Sequence, residues 1–362
     1  MKKHQISALL LAAAYALPFN AYALTQLDFL MAHKPENVDN VNLIQAFADR
    51  VKSRTGGEVV ITPTFPSWSV DVFENSHSAA LKGVYLGTTA MSQISVKHFA
   101  KYSPAIEVLD MPMVFTSHDH ATRVLDGDVG QNLRDTVFAE TNGRIKGLSF
   151  TYSGGFRNIY STRDIGSVAE LAGQKMRLKG GRLSQDAMDH LGLDFVKTEP
   201  GPDFYGDWAN KHFDGGIEAE EAETLRIYSY KRQNPEMAKT IKTVLETNHS
   251  LYLTMITING DKFAALTPEQ QQILQEEAAK LAVDERDLSI AQEATYRKEL
   301  QADGVKFVTI SDEDKQQLAA MGKAVQQKNH RYLGSWLDAI KEAEPKTNVQ
   351  ESKASGTHHK PL

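Results

Sequence analysis

Strand-like and helix-like segments alternate twice from the start in this chain, and that restart constrains the fold more than any single motif. Leu24 to Met31 alternates apolar and polar residues as a strand does, and Val41, Leu43, Ile44, Phe47, Ala48 and Val51 recur at close to helical spacing. Arg54-Thr55-Gly56-Gly57 supplies glycines that stop that helix. Glu58 to Thr64 is β-rich, Val72 to Lys82 is helix-like, and Val84 to Ser95 is strand-like. This βαβαβ rhythm predicts a mostly parallel sheet. It begins again at Ile145 to Tyr152 (strand), Ser167 to Ala172 (short helix), Lys175 to Lys179 (strand) and Leu183 to Leu191 (helix). Two α/β lobes follow, with a cleft between them, and sheets of this kind hold ligands at domain interfaces and at the C-terminal ends of their parallel strands.

The chain then returns through a strand at Ser250 to Asn259 and enters a long helix. Thr267 is an N-cap, Pro268 fits the first helical position, and Gln270 completes a capping box. Ile273, Leu274, Ala278, Leu281 and Ala282 keep one apolar face, and nothing breaks the helix before Ala302-Asp303-Gly304. Its length, roughly 50 Å at 1.5 Å per residue, exceeds what one lobe needs, so it is expected to run along both.

The N-terminus reads as an export signal. Lys2 and Lys3 precede an apolar run from Ile6 to Leu17, followed by Ala21-Tyr22-Ala23, which predicts cleavage between Ala23 and Leu24. The run is well short of the ~20 residues needed to span a bilayer. Cysteine is absent, which removes disulfides and thiolate chemistry even though export would permit them. The net charge of -6 argues against nucleic acid as a partner.

Against that acidic balance, Gly173 to Arg182 places four cations, Lys175, Arg177, Lys179 and Arg182, in ten positions. On a strand, Lys175, Arg177 and Lys179 share one face while Met176 and Leu178 take the other. That face is either solvated or turned to an anion, and arginine suits a carboxylate because its planar guanidinium donates two parallel hydrogen bonds. Glu218, Glu220, Glu221 and Glu223 read as a charged helix start, with acid/base chemistry of a secreted hydrolase as the alternative. His118-Asp119-His120 reads either as metal-ligating or as capping polar residues after Thr116-Ser117; no third ligand stands at a recognised spacing. No nucleophile elbow, P-loop or dinucleotide fingerprint is present, and no cofactor is expected.

From about Leu24 to Ala343 the chain resembles the solute-binding proteins of tripartite ATP-independent periplasmic (TRAP) transporters, typified by the C4-dicarboxylate and sialic acid binders. The resemblance rests on landmarks in order: Met31-Ala32-His33, Ser53 to Gly57, Val108 to Phe115, Val124 to Gly130, Gly155-Phe156-Arg157-Asn158, Gly173 to Arg177, Phe213-Asp214-Gly215 and Thr247-Asn248-His249. It implies a two-lobed α/β fold, crossed by a long helix, that closes around an organic acid and delivers it to the membrane permease subunits of a TRAP transporter. It also implies that Arg177 salt-bridges the ligand carboxylate, that Arg157 adds a contact, and that His33 lines the pocket. The chain departs from the family pattern at Glu218, where a ligand-contacting asparagine is common, at Gly201, where an aromatic is usual, and at Lys179, where proline is common. Glu218 is expected either to accept from ligand hydroxyls or an ammonium, or to pair with Lys179 or Arg182. Trp68 and Phe204 are candidates for the missing aromatic wall, and Tyr205 and Lys179 are further candidate ligand contacts.

The organisation expected is a signal peptide over 1–23, one lobe from 24–153 plus about 241–282, a second from 154–240 plus about 283–344, and a disordered tail over 345–362. The expected protein is a monomer in the periplasm. A ligand-sensing subunit of a signalling receptor would share the same pocket.

Overall fold

The computed structural model describes residues 24–31, 38–65, 73–177, 181–196, 214–233 and 235–344. The first βαβαβ unit forms as its pattern predicts: β1 (Thr25–Leu30), α1 (Val38–Arg54), β2 (Val59–Thr64), α2 (Phe73–Leu86) and β3 (Met91–Ser95). β1 pairs in parallel with β2 on one side and with β3 on the other. The apolar stripe of α1 buries Ile44, Phe47 and Val51 against Leu27 and Phe29 of the sheet, with Phe29 and Phe47 edge to face at 6.3 Å between ring centroids. Gly56 and Gly57 terminate α1 with φ of 60° and 86°, a left-handed exit that glycine takes without steric cost. The strand expected from Val84 starts only at Met91, because Ala80, Leu81 and Val84 bury one face of α2 at helical spacing.

After two 3₁₀ turns (Val96–Lys101 and Pro104–Asp110) come α3 (His118–Asp126) and α4 (Asp128–Glu140). Ser117 caps α3 by accepting from the His120 backbone N–H. The chain then enters β4 (Ile145–Ser161), 17 residues long, which runs on well past the expected Tyr152. At Gly154 and Gly155 the backbone takes φ of 96° and 79°, and the pairing register shifts between Tyr152 and Phe156. Any Cβ at Gly154 would stand 2.8 Å from the Glu223 Cβ, so the bulge needs glycine for space as well as for conformation.

The second half carries β5 (Lys175–Arg177), α5 (Arg182–His190), β6 (Asp194–Val196), β7 (Ala219–Glu223), α6 (Thr224–Gln233) and α7 (Pro235–Ala238). The predicted helix over Ser167 to Ala172 is a single 3₁₀ turn, Val168–Leu171. The carboxylate cluster does not open a helix: Ala219 to Glu223 form a fully buried strand between β4 and β5. Buried carboxylates are tolerated only where cations or donors meet them, and the neighbouring strands supply both.

β8 (Thr243–Asn259), again 17 residues, runs antiparallel to β4 along nearly its whole length. It joins the halves into one hydrogen-bonded order, β2-β1-β3-β8-β4-β7-β5-β6. After α8 (Gly260–Ala264) the long helix α9 (Pro268–Ala302) forms with the predicted capping box of Thr267 and Gln270. It touches α1 near its start through Arg50 and Glu277, and packs on β4 midway, where Ser149 donates to the Ala278 carbonyl at 2.7 Å. It reaches α6 at its end, where Tyr296 stacks on Tyr228 at 4.2 Å. Thus α9 does run along both halves. β9 (Lys306–Val308) adds to β8, and α10 (Asp312–Glu342) closes the fold. Sequence reading assigned no element to α10, although Ser311 and Asp314 form a capping box and Leu318, Met321, Val325, Leu333 and Ile340 fill the core.

Candidate functional site

The C-terminal ends of β5 and β7 meet the start of the second half of β4, and here the structure gathers charge in the interior. Arg177 ends β5 and is only 3% exposed. The parallel register places it beside Glu220, with its NH1 3.5 Å from Glu220 Oε1, while Tyr160 donates its hydroxyl to Glu220 Oε2 at 2.7 Å. Burial, and then the Glu220 charge, push the Tyr160 hydroxyl well above the usual tyrosine range. It stays a neutral donor.

Arg157 lies just beyond the double-glycine bulge, directly opposite Glu223 in the β4–β7 ladder. Its Nε donates to Glu223 Oε1 at 2.8 Å, and its NH1 stands 3.6 Å from both Glu221 Oε1 and Asp110 Oδ1. The guanidinium also lies over the Tyr252 ring at 5.0 Å. Burial works against its charge, but Glu221, Glu223 and Asp110 together hold its pKa above the ordinary arginine value. Glu221 accepts from Ser184 at 3.0 Å and meets His249 Nε2 at 3.2 Å. Burial pushes its carboxyl up, yet Arg157 and His249 outweigh that and bring it down to about 2. Asp110 is different. Burial dominates over Arg157 there and, with Glu221 adding repulsion, raises it to about 6.

Arg157 and Arg177, the two arginines singled out from sequence, are both buried beside β7, but the registers put them on opposite faces of it, Arg157 with Glu221 and Glu223 and Arg177 with Glu220. Residue Glu218 is not among the buried set: its carboxylate accepts from Arg163 Nε at 3.0 Å and from the Lys175 backbone N–H at 3.0 Å. It does not pair with Arg182, which reaches Glu107 at 3.0 Å instead. Lys175 is exposed although it shares the strand face of Arg177; it lies farther from the strand end. His33, Trp68, Lys179, Phe204 and Tyr205 lie outside the described residues. Sequence reading did not single out Asp110, His249, Ser184, Tyr160 or Tyr252 as site residues. The alternation of Glu221 and Glu223 was the available signal, since carboxylates two apart on a buried strand must face partners.

The histidine pair of α3 does not converge on a metal. His120 uses Nε2 on the Ile340 carbonyl at 2.8 Å and Nδ1 near Thr116, whereas His118 lies against Phe156 at 4.9 Å. Among the described residues, no group of three or more histidines and carboxylates is arranged to hold a metal ion.

Two halves joined by the long strands β4 and β8 thus each contribute to one continuous sheet that buries Arg157 and Arg177. The family model for bacterial extracellular solute-binding protein, family 7 (DctP), matches residues 31–331. The chain belongs to this family. As a family 7 solute-binding protein it is 25% identical over 314 residues to the 2,3-diketo-L-gulonate-binding periplasmic protein YiaO of Escherichia coli K12, covering 86% of this chain and 90% of that one. Its fold matches a TRAP periplasmic solute-binding protein from Ochrobactrum anthropi with a TM-score of 0.76 at 19% identity, over 92% of this chain and 98% of the other. It also matches one from Pseudomonas putida F1 with bound D-glucuronate at a TM-score of 0.73 and 21% identity, over 89% and 98% of the two chains. These family 7 proteins are binders rather than enzymes, and in this one the buried glutamates are engaged by arginine, tyrosine and histidine. That leaves nothing to favour the hydrolase reading.

Proposed function

We propose that this protein is a periplasmic solute-binding protein that captures a small organic acid between its lobes and hands it to the membrane permease of a TRAP transporter. The observation that carries the reading is the family match over residues 31–331, and two buried arginines, Arg157 beside Glu223 and Arg177 beside Glu220, support it. Arginine recognises a carboxylate with two parallel, charge-assisted hydrogen bonds, and the YiaO and glucuronate-bound relatives support a carboxylate ligand.

Closure is assigned to a hinge at Gly154-Gly155 in β4 and at Asn248 in β8. Both interrupt the long strands with positive φ, Asn248 at 45°. Backbone crossings of this kind absorb the rotation in hinge-closing binders, and ligand contacts to both lobes stabilise the closed state. This divides β8 between the lobes, so the boundary falls at Asn248. Family resemblance adds His33 to the candidate ligand contacts, and Trp68, Phe204, Tyr205 and Lys179 are kept as candidates where the chain departs from the family pattern; Glu218 serves as a neighbour that positions Lys175 and Arg163. The working form is a monomer in the periplasm, released by cleavage between Ala23 and Leu24.

A thermal-shift screen of the purified mature protein over sugar acids, keto acids, dicarboxylates and zwitterions tests this reading. Saturable stabilisation by a member of one class is the expected outcome; no stabilisation by any carboxylate would remove the assignment.

A further inference from the structure

Tyr160, Glu220 and Arg177 form a row across three neighbouring strands. The antiparallel β4–β7 register sets Tyr160 opposite Glu220, and the parallel β7–β5 register sets Glu220 beside Arg177, so the three side chains share one face. Arg157, Glu221 and Glu223 occupy the other. All three members of the row are buried. Tyr230 of α6 packs in the same apolar cluster as Tyr160, and the charges of Glu220 and Arg177 both act on its hydroxyl.

A buried arginine calls for a counter-charge, and Glu220 supplies it unevenly. Its Oε1 stands 3.5 Å from Arg177 NH1, longer than an ordinary N–H···O hydrogen bond, whereas its Oε2 accepts the Tyr160 hydroxyl at 2.7 Å. An unconstrained carboxylate and guanidinium close a two-pronged pair, each oxygen at about 2.7–2.9 Å from one of two parallel N–H groups. Here one oxygen is committed to tyrosine. Glu220 therefore meets the guanidinium at a single corner and offsets its charge without closing on its fork.

We infer that Tyr160 is a positioning residue for ligand binding: its hydroxyl holds Glu220 back from a two-pronged pair with Arg177 and so keeps the guanidinium competent to take the carboxylate of the bound acid. This rests on Arg177 as the ligand arginine and deepens that reading. Tyr160 acts through Glu220 and Arg177 rather than on the acid itself. Phenylalanine fills nearly the same volume, so Tyr160→Phe removes the hydroxyl alone; Glu220, released, closes on Arg177 and competes with the incoming carboxylate. That competition needs the Glu220 charge, which Glu220→Gln removes.

A double-mutant cycle on the mature protein separates this role from core packing. The probe is whichever of D-glucuronate, 2,3-diketo-L-gulonate, pyruvate and succinate binds most tightly by calorimetry, and circular dichroism checks the fold of each variant. Tyr160→Phe is expected to weaken binding tenfold or more in the native chain and less than twofold in the Glu220→Gln background. A loss by the same factor in both backgrounds, as a purely structural role would give, overturns the inference, and so does no loss in the native chain. Where Glu220→Gln fails to fold, Arg177→Lys is the background, with the same expectation. Native affinity in Arg177→Lys alone removes the Arg177 reading itself, and binding of none of the four acids counts against the carboxylate reading; this inference falls with either. Both outcomes are distinct from a failure confined to Tyr160.

Discussion

Arg157 and Glu223 face one another across the β4–β7 ladder, Nε to Oε1 at 2.8 Å, immediately beside the glycine bulge that bends β4. The ion pair and the bend are one unit. Gly154 leaves space for the Glu223 side chain, and Glu223 in turn holds the guanidinium that follows the bend.

Truncating Glu223 leaves Arg157, among the described residues, with the two longer ion contacts at 3.6 Å to Glu221 and Asp110 and with the Tyr252 ring. Removing one partner of a buried pair typically costs about 3–5 kcal/mol, and the remaining acids offset part of that here. Glu223→Ala is expected to lose roughly 2–4 kcal/mol of folding stability in urea unfolding at pH 7. A loss comparable to that of an exposed pair would show that the contact contributes little.

Gly154→Ala meets two obstacles, φ of 96° and a Cβ 2.8 Å from that of Glu223. We expect a cost of about 1–3 kcal/mol from backbone strain plus the displaced contact. Gly166→Ala, whose added methyl finds only the Glu170 carboxylate at 3.7 Å, serves as the comparison and should be far milder.

Glu285 gives the fold a pH dependence. It lies under the strands at mid-helix in α9, where Gln93 donates at 2.7 Å and Thr151 at 2.9 Å, yet burial outweighs these donors and raises its carboxyl from 4.5 to about 7. A carboxyl whose folded pKa lies above its unfolded value binds its proton more tightly when folded. Its ionisation therefore lowers stability progressively as pH rises from about 4.5 to about 7. Over that window Glu285 is expected to withdraw on the order of 3 kcal/mol. Glu285→Gln should gain stability relative to the native chain at pH 8 compared with pH 5, read by chemical denaturation at both; an unchanged difference would place the titration elsewhere. Glu221 acts in the opposite sense. Its carboxyl, held at about 2, contributes stability present above 4.5 and lost as pH falls toward 2.

The first βαβαβ unit, the restart and the capped long helix were legible because each rests on local periodicity or capping chemistry that tertiary contacts reinforced. Arg157 and Arg177 were singled out through the family's motifs, and both are buried. What escaped was set by partners distant in sequence. Glu220, Glu221 and Glu223 look like a solvated helix start until β4 and β5 bring Arg157 and Arg177 to either side of them. For the same reason Glu218 was expected either to meet the ligand or to pair with Arg182 or Lys179, whereas a neighbouring turn delivers Arg163 to it. The continuation of β4 beyond Tyr152 was hidden by Gly154-Gly155, which read as a break in a strand and are instead a bulge within one.

The most direct test is calorimetric titration of the carboxylate found by thermal shift into the native protein and into Arg177→Lys, with circular dichroism confirming the fold of both. Lysine keeps the charge but loses the planar, two-pronged donor. If Arg177 holds the ligand, one-to-one binding in the native protein weakens by roughly 30-fold or more in Arg177→Lys, about 2 kcal/mol. Equal affinity in the two proteins would contradict the account.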